Sequence, residues 1–353
     1  MPSTKIIKVD PAHADEDVIK QAAALLQRGG LVIIPTETVY GVAANISNAK
    51  ALKRLSKIKQ RPKDKPFSLV VGRKEAIEEY AANIPPCAYK LIDKFWPGPL
   101  TIVLKSKSNG TVGLRMPDSD IARRIIMEAG VPLACPSANL SGKPAPAGFQ
   151  EAVKDLNGLV DMAIDTGAAR VGVESSVIDL TLEPPVILRE GAIKKDAILE
   201  EAGKKTVLFV CTGNSCRSVM AQALLKKKLE ASGRRNVEVI SAGITMFAGM
   251  GATEATRAVL SAEGIDVSSH RSQVVTPLMI RKSDLILVME ALHEDKILEI
   301  APEAKNRVFL LKEFAKIDDS DLNISDPIGG SLEFYRQTFF VIKQAVERII
   351  DII

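Results

Sequence analysis

The sequence predicts an α/β chain of two domains, the second built on a doubly wound parallel sheet. Short apolar runs of strand length, such as LVII at residues 31–34 and VLFV at 207–210, alternate with segments whose apolar residues recur at helical spacing. A chain of 353 residues is long enough for two cores of ordinary size. Residues 194–205 read as a short helix and a charged connector, which puts the boundary near Gly203 and the domains at 1–203 and 204–353.

Composition narrows the class. Apolar residues at 46% and charged residues at 25% are those of a soluble globular protein. A net charge of +4 suits anionic small molecules in local clefts better than a nucleic-acid platform. The cysteines, Cys87, Cys135, Cys211 and Cys216, make no C-x-x-C pair, so no zinc framework is expected. The first residues lack the apolar centre of a signal peptide, and no apolar run approaches membrane-spanning length. The expectation is a cytoplasmic location, reduced thiols and no membrane partner.

In the first domain, residues 6–9 read as a strand and 16–27 as a helix closed by Gly29 and Gly30. The segment LVIIPTETVYGVAAN begins as a buried strand, breaks at Pro35 and continues through Thr36, Glu37, Thr38 and Tyr40 to Gly41. Hydroxyls and a carboxylate just past a strand end suit a polar-ligand cleft, although Thr and Tyr are also good strand formers. After a helix from about Asn48 come Lys59 and Arg61 in a K-x-R, then Pro62, Lys65 and Pro66. Arg offers a planar fork and Lys a point charge, a pairing that fits a polyphosphate; taken alone, a solvated basic loop is the preferred reading. WPGPLTIVL, TVGLRMP, PLACPSANLSG, ESSVIDL and ILREGAI follow.

PTETVYG, K-x-R, WPGPLT, the S-x-N of Ser137 and Asn139, SSVIDL and LREGAI stand in the order found in YrdC-like L-threonylcarbamoyladenylate synthases. This resemblance covers nearly all of residues 5–200. It implies an open, twisted α/β domain that makes threonylcarbamoyl-AMP from L-threonine, bicarbonate and ATP, releasing pyrophosphate. The product would go to the threonylcarbamoyl transferase machinery that modifies tRNA. By motif position, ATP is expected at Lys59, Arg61, Lys65, Ser137, Asn139 and Arg189. Threonine is expected at Thr36, Thr38, Arg115, Cys135 and Ser175. Lys65 stands where many relatives have Asn, and Val70 where a His is often found. Arg115 would pair with the amino-acid carboxylate while the K-x-R cations offset charge on pyrophosphate. Mg²⁺ is expected with ATP, with no acidic cluster marking its ligands. RNA binding by the same fold is the alternative, and it would want a broader basic face.

The second domain opens on VLFV, with Cys211 at the strand's end and Arg217-Ser218 opening a helix. Backbone N–H groups between a strand end and a helix start converge on one point and bind an anion there. A cysteine at that point would act as its thiolate, beside Arg217. Further strands are expected at 237–243, 285–289 and 308–311, and helices to about 229, at 253–263, from His293 and at 332–350. Asp326, in SDPIGGS, could protonate a leaving group; an Asp-Pro is also an ordinary helix entry.

C-x-x-x-x-x-R-S with VLFV before it and TGNSC within it resembles the low-molecular-weight protein phosphatases. The resemblance implies Cys211 as nucleophile, Arg217 on the phosphoryl oxygens and Asp326 as acid, without a cofactor. Thr212, Gly213, Asn214, Ser215, Cys216 and Ser218 complete the phosphate loop. Ser215 and the DPIGG loop look closer to the protein-arginine phosphatase branch, so phosphoarginine in a protein substrate is expected first and phosphotyrosine second. A neighbour such as Cys216 can form a reversible disulfide with the nucleophile in this family; a packed Cys216 is the alternative. A regulatory, non-catalytic phosphatase-like module also remains open.

Overall fold

In a computed structural model the described residues are 3–13, 15–60, 67–245 and 248–353. The chain divides into two compact units, Met1–Ala202 and Gly203–Ile353.

The first unit is organised on a mixed sheet of ten strands: Lys5–Lys8 (β1), Leu31–Ile34 (β2), Gly41–Asn45 (β3), Leu69–Val70 (β4), Leu100–Lys105 (β5), Thr111–Arg115 (β6), Leu133–Ala134 (β7), Met162–Asp165 (β8), Ser176–Asp179 (β9) and Val186–Arg189 (β10). Their order across the sheet is β1-β8-β2-β3-β7-β4-β6-β5-β9-β10. The alternation along β2 shows why LVII is apolar throughout. Val32 and Ile34 pack with the helices Glu16–Gln27 and Asp120–Ala129, while Leu31 and Ile33 pack with Ala49–Ile58 and Phe149–Lys154. A strand covered on both faces has no polar side to show. Strands β2 and β3 pair antiparallel, so the PTETVY turn between them is delivered to one edge of the core.

The second unit carries Lys205–Cys211 (β11), Val237–Gly243 (β12), Leu285–Val288 (β13) and Val308–Leu310 (β14), parallel throughout and ordered β12-β11-β13-β14. Val207 and Phe209 face the helices Arg217–Ala231, Glu254–Ala262 and Leu332–Ile349, whereas Leu208 and Val210 face Pro277–Lys282 and Ala291–Ile300. This is the doubly wound arrangement, in which ligands meet the carboxyl ends of the strands. One boundary differs from the reading of the sequence. The helix expected from His293 starts at Ala291, because the His293 ring folds back to accept the Glu290 N–H at 3.1 Å and closes the first turn.

Candidate active sites

In the first unit the β2–β3 turn is pinned by its own hydroxyls. Thr36 Oγ1 donates to the Val39 carbonyl at 2.6 Å and lies 2.9 Å from Thr38 Oγ1. Arg115, at the end of β6, reaches this turn: Nη2 donates to Thr38 Oγ1 and to Glu37 Oε1, both at 2.8 Å, and Nε to the Gly98 carbonyl at 3.3 Å. Glu37 is buried, and its Oε2 has no partner among the described residues. Lys59 caps the helix Ala49–Ile58 and donates through Nζ to Asn139 Oδ1 at 2.7 Å, the Asn139 carbonyl at 2.8 Å and the Ser137 carbonyl at 3.0 Å. On β10, Arg189 Nε and Nη2 hold the Ser175 carbonyl and hydroxyl at 2.9 and 3.1 Å, and Nη1 pairs with Glu174 at 2.7 Å. Ser175 also lies 2.9 Å from Thr101 Oγ1.

These groups surround one cavity of about 220 Å³, with Thr36, Lys59, Arg115, Ser137, Ser175 and Arg189 in its wall. Three cations and several hydroxyls about one space favour an anionic occupant. Cys135 lines the same wall; burial pushes its thiol up to about 12, against the pull of Arg115, so it is neutral at pH 7. Gly41 faces it so closely that a Cβ there would stand 2.4 Å from Cys135 Sγ.

The loop after β11 is held from three sides in the second unit. A Cβ on Gly243, at the end of β12, would stand 2.7 Å from the Thr212 carbonyl, so glycine lets the loop lie against that strand. Asn214 adopts a left-handed backbone with φ of 51°. Its Oδ1 accepts the Gln273 N–H at 3.0 Å, and its Nδ2 donates to Ser218 Oγ at 3.0 Å and Ser241 Oγ at 2.8 Å. Ser218 Oγ lies 3.0 Å from Cys211 Sγ. With Asn214 donating to that oxygen, the Ser218 hydrogen is available to the sulfur.

Arg217 is 1% exposed and nearly saturated. Nη1 bonds Glu290 Oε1 and, at 2.8 Å, the Ile324 carbonyl; Nη2 bonds Asp326 Oδ2 and, at 3.2 Å, Thr212 Oγ1. The buried Nε has no partner among the described residues. His293 Nε2 lies 3.0 Å from Thr212 Oγ1. Burial first and Arg217 second push the His293 pKa down to about 4, with Glu290 and Asp326 opposing.

Comparison with known proteins follows the same division. Residues 24–191 match the Sua5/YciO/YrdC family, described as telomere recombination, and residues 206–353 match the low-molecular-weight phosphotyrosine protein phosphatase family. The threonylcarbamoyl-AMP synthase assigned in Methanocaldococcus jannaschii is 37% identical over 198 residues, 54% of this chain and 94% of that protein. The protein-arginine-phosphatase of Geobacillus stearothermophilus is 40% identical over 145 residues, 41% of this chain and 93% of that protein. The chain belongs to both families. A crystal structure of Pyrococcus abyssi Sua5 complexed with L-threonine matches with a TM-score of 0.54 at 29% identity, covering 87% of this chain and 99% of that one. The chain spans only 64% and 58% of the first two curated synthases it matches.

Within the Sua5/YrdC half, Thr38 and Asn139 stand behind the cavity wall: Thr38 fixes Arg115 and Asn139 holds Lys59. Arg61 and Lys65 lie outside the described residues. Glu37, read from the sequence as the carboxylate of a polar-ligand cleft without a stated role, belongs to the same network, as do Glu174 and Thr101, which were not singled out. Glu174 had a signal, since it precedes Ser175 in ESSVIDL. In the phosphatase half two bonded groups stand side by side on the loop: Cys211, Ser218 and Asn214 in one, and Thr212, Arg217 and Asp326 in the other. Cys216 points elsewhere, with Sγ 3.5 Å from Tyr335 Oη and 3.6 Å from both Ser215 Oγ and Thr253 Oγ1, and all four cysteines are free. Glu290 and His293 were missed. Glu290 was legible in principle, because it follows LILVM at a strand's carboxyl end, where this fold keeps its ligands.

Proposed function

We propose that the chain carries two separate activities, threonylcarbamoyl-AMP synthesis in residues 1–203 and cysteine-dependent protein dephosphorylation in 204–353. The observation that carries the first is the convergence of Lys59, Arg115 and Arg189 on one cavity. Arg115 Nη1 has no protein partner among the described residues, so it can take the threonine carboxylate, with Glu37 and Thr38 fixing the guanidinium. Lys59 and Arg189 would hold the nucleotide, and catalysis would rest on placement and electrostatics. The Pyrococcus abyssi relative crystallised with L-threonine supports this assignment of substrate. Glu174 on the cavity wall is occupied by Arg189, and no group of three or more His, Cys, Asp or Glu among the described residues could hold an ion. That donor set fits Mg²⁺ carried on triphosphate oxygens and water, where it would offset the charge of the triphosphate.

The second activity rests on Cys211, held by Ser218, at the start of a loop whose Arg217 bonds both Thr212 beside that cysteine and Asp326. Cys211 Sγ attacks phosphorus and forms the S–P bond as the bond to the leaving atom breaks; Asp326 gives that atom its proton. Water then attacks phosphorus, Asp326 takes its proton, and the thiolate departs with Ser218 Oγ 3.0 Å away. Phosphoarginine is the favoured substrate. Ser215 is small and polar, and the 40% identical relative is named a protein-arginine-phosphatase. A non-catalytic module would not need this group intact.

Two assays on the full chain decide these points. Pyrophosphate release should require both threonine and bicarbonate; release without them sinks the synthase reading. Phosphoarginine peptides should turn over faster than phosphotyrosine peptides, and the reverse order removes the substrate preference.

A further inference from the structure

Around the Cys211 loop, the bonding of the Thr212 hydroxyl is fully determined by its neighbours. His293 Nδ1 accepts the Glu290 backbone N–H at 3.1 Å, so the ring proton sits on Nε2. The low His293 pKa, about 4, keeps the ring in that neutral form at pH 7. Nε2 therefore donates to Thr212 Oγ1 at 3.0 Å, and Arg217 Nη2 donates to the same oxygen at 3.2 Å. A hydroxyl oxygen has two lone pairs, and both are taken. Its single hydrogen must point away, and it meets no acceptor among the described residues. Arg217 is in a similar condition: both η nitrogens are engaged and only the buried Nε–H is open. The surroundings thus leave two donors open, and an oxyanion would satisfy both.

We infer that the Thr212 hydroxyl, turned outward by His293, donates to the phosphoryl group alongside Arg217 Nε, and that His293 is the positioning residue behind it. This rests on the phosphatase reading and deepens it by assigning the contact to one part of the substrate. A guanidinium carries donors and no acceptor, so the Thr212 O–H serves a phosphoryl oxygen and not the departing arginine side chain. Serine at position 212 can do the same. Valine has the shape and lacks the hydrogen. Without the imidazole Nε2–H, the Thr212 hydrogen loses its fixed direction, so the donor is still present but no longer aimed in advance.

The test uses the full chain with inorganic phosphate as the probe, by calorimetric titration and by competition with para-nitrophenyl phosphate hydrolysis. Thr212→Val should weaken phosphate binding about tenfold, as for one hydrogen bond to a charged group, and Thr212→Ser should stay within about twofold of the native chain. His293→Phe should weaken it by less, about twofold to threefold, since the hydroxyl remains but is no longer aimed, with His293→Gln, which keeps an N–H donor, recovering part of the loss. The double variant Thr212→Val/His293→Phe should bind no worse than the weaker single variant, because both act through one hydrogen bond. Phosphate binding at native strength by Thr212→Val, or additive losses in the double variant, overturns the inference and leaves the phosphatase reading standing. A native chain that binds no phosphate, or that keeps its turnover in Cys211→Ser, overturns that reading and the inference with it.

Discussion

The two sites distribute their cations differently. Lys59 donates to two carbonyls and an amide oxygen, while Arg115 and Arg189 in the same wall are each paired with one carboxylate, Glu37 and Glu174. Arg217 is buried between two carboxylates, Glu290 and Asp326, and its charge is already matched before any ligand arrives. The lesson concerns what each site asks of its ligand. The first spreads three cations and two carboxylates around a cavity of about 220 Å³, which suits a polyphosphate arriving with its own counter-ion. The second offers directed donors in a fixed frame, with Glu290 and Asp326 holding the η nitrogens of Arg217 and its Nε left open. The second concentrates its donors on one loop, and the first collects them from several strands around a cavity.

Substitutions can break this contrast. The largest effect is expected from Arg217→Lys, which keeps the charge but removes the planar fork that bonds four groups at once. Phosphatase turnover should fall roughly a thousandfold, and a modest loss would mean that charge, not direction, governs this site. Acid should act next. His293 has its pKa lowered in the fold, so the stability it contributes is complete above its ordinary pKa near 6.5 and is lost as pH falls toward about 4. Arg217, Glu290 and Asp326 are the charged groups around it. The phosphatase unit should lose up to roughly 3 kcal/mol across that window, read by calorimetry on the full chain, and His293→Gln should flatten the dependence.

Asp326→Asn removes the proton donor while keeping a hydrogen-bond acceptor for Arg217. Turnover should drop about a hundredfold for a poor leaving group and far less for para-nitrophenyl phosphate; equal losses would assign Asp326 a packing role. The smallest effect belongs to the first site. Glu37→Gln leaves an acceptor for Arg115 but removes the charge, and the threonine KM of pyrophosphate release should rise about fivefold to tenfold. An unchanged KM would detach Glu37 from the threonine end.

Legibility in the sequence followed the same contrast. The phosphate loop is contiguous from Cys211 to Ser218, so its residues, its strand and its helix could be read together. The double-sided burial of LVII was readable for a similar reason, since an unbroken apolar run of four residues needs cover on both faces. The groups that complete the sites come from far along the chain and had no local pattern. His293 looks like any histidine near a helix start, and only the fold shows its ring reaching back to Thr212, 81 positions earlier. Glu37 was visible as a carboxylate in PTETVYG, but its partner Arg115 is 78 positions away. Glycines 41 and 243 are of the same kind, set by close approach across strands that the sequence does not pair.

The central claim is that two independent anion sites share one chain. Its most direct test is a single preparation assayed for both pyrophosphate release and protein dephosphorylation, as native protein, as Cys211→Ser and as Lys59→Ala. Cys211→Ser should lose dephosphorylation and keep pyrophosphate release at the native rate, and Lys59→Ala should do the reverse. Loss of both activities in either variant, or of neither, would contradict it.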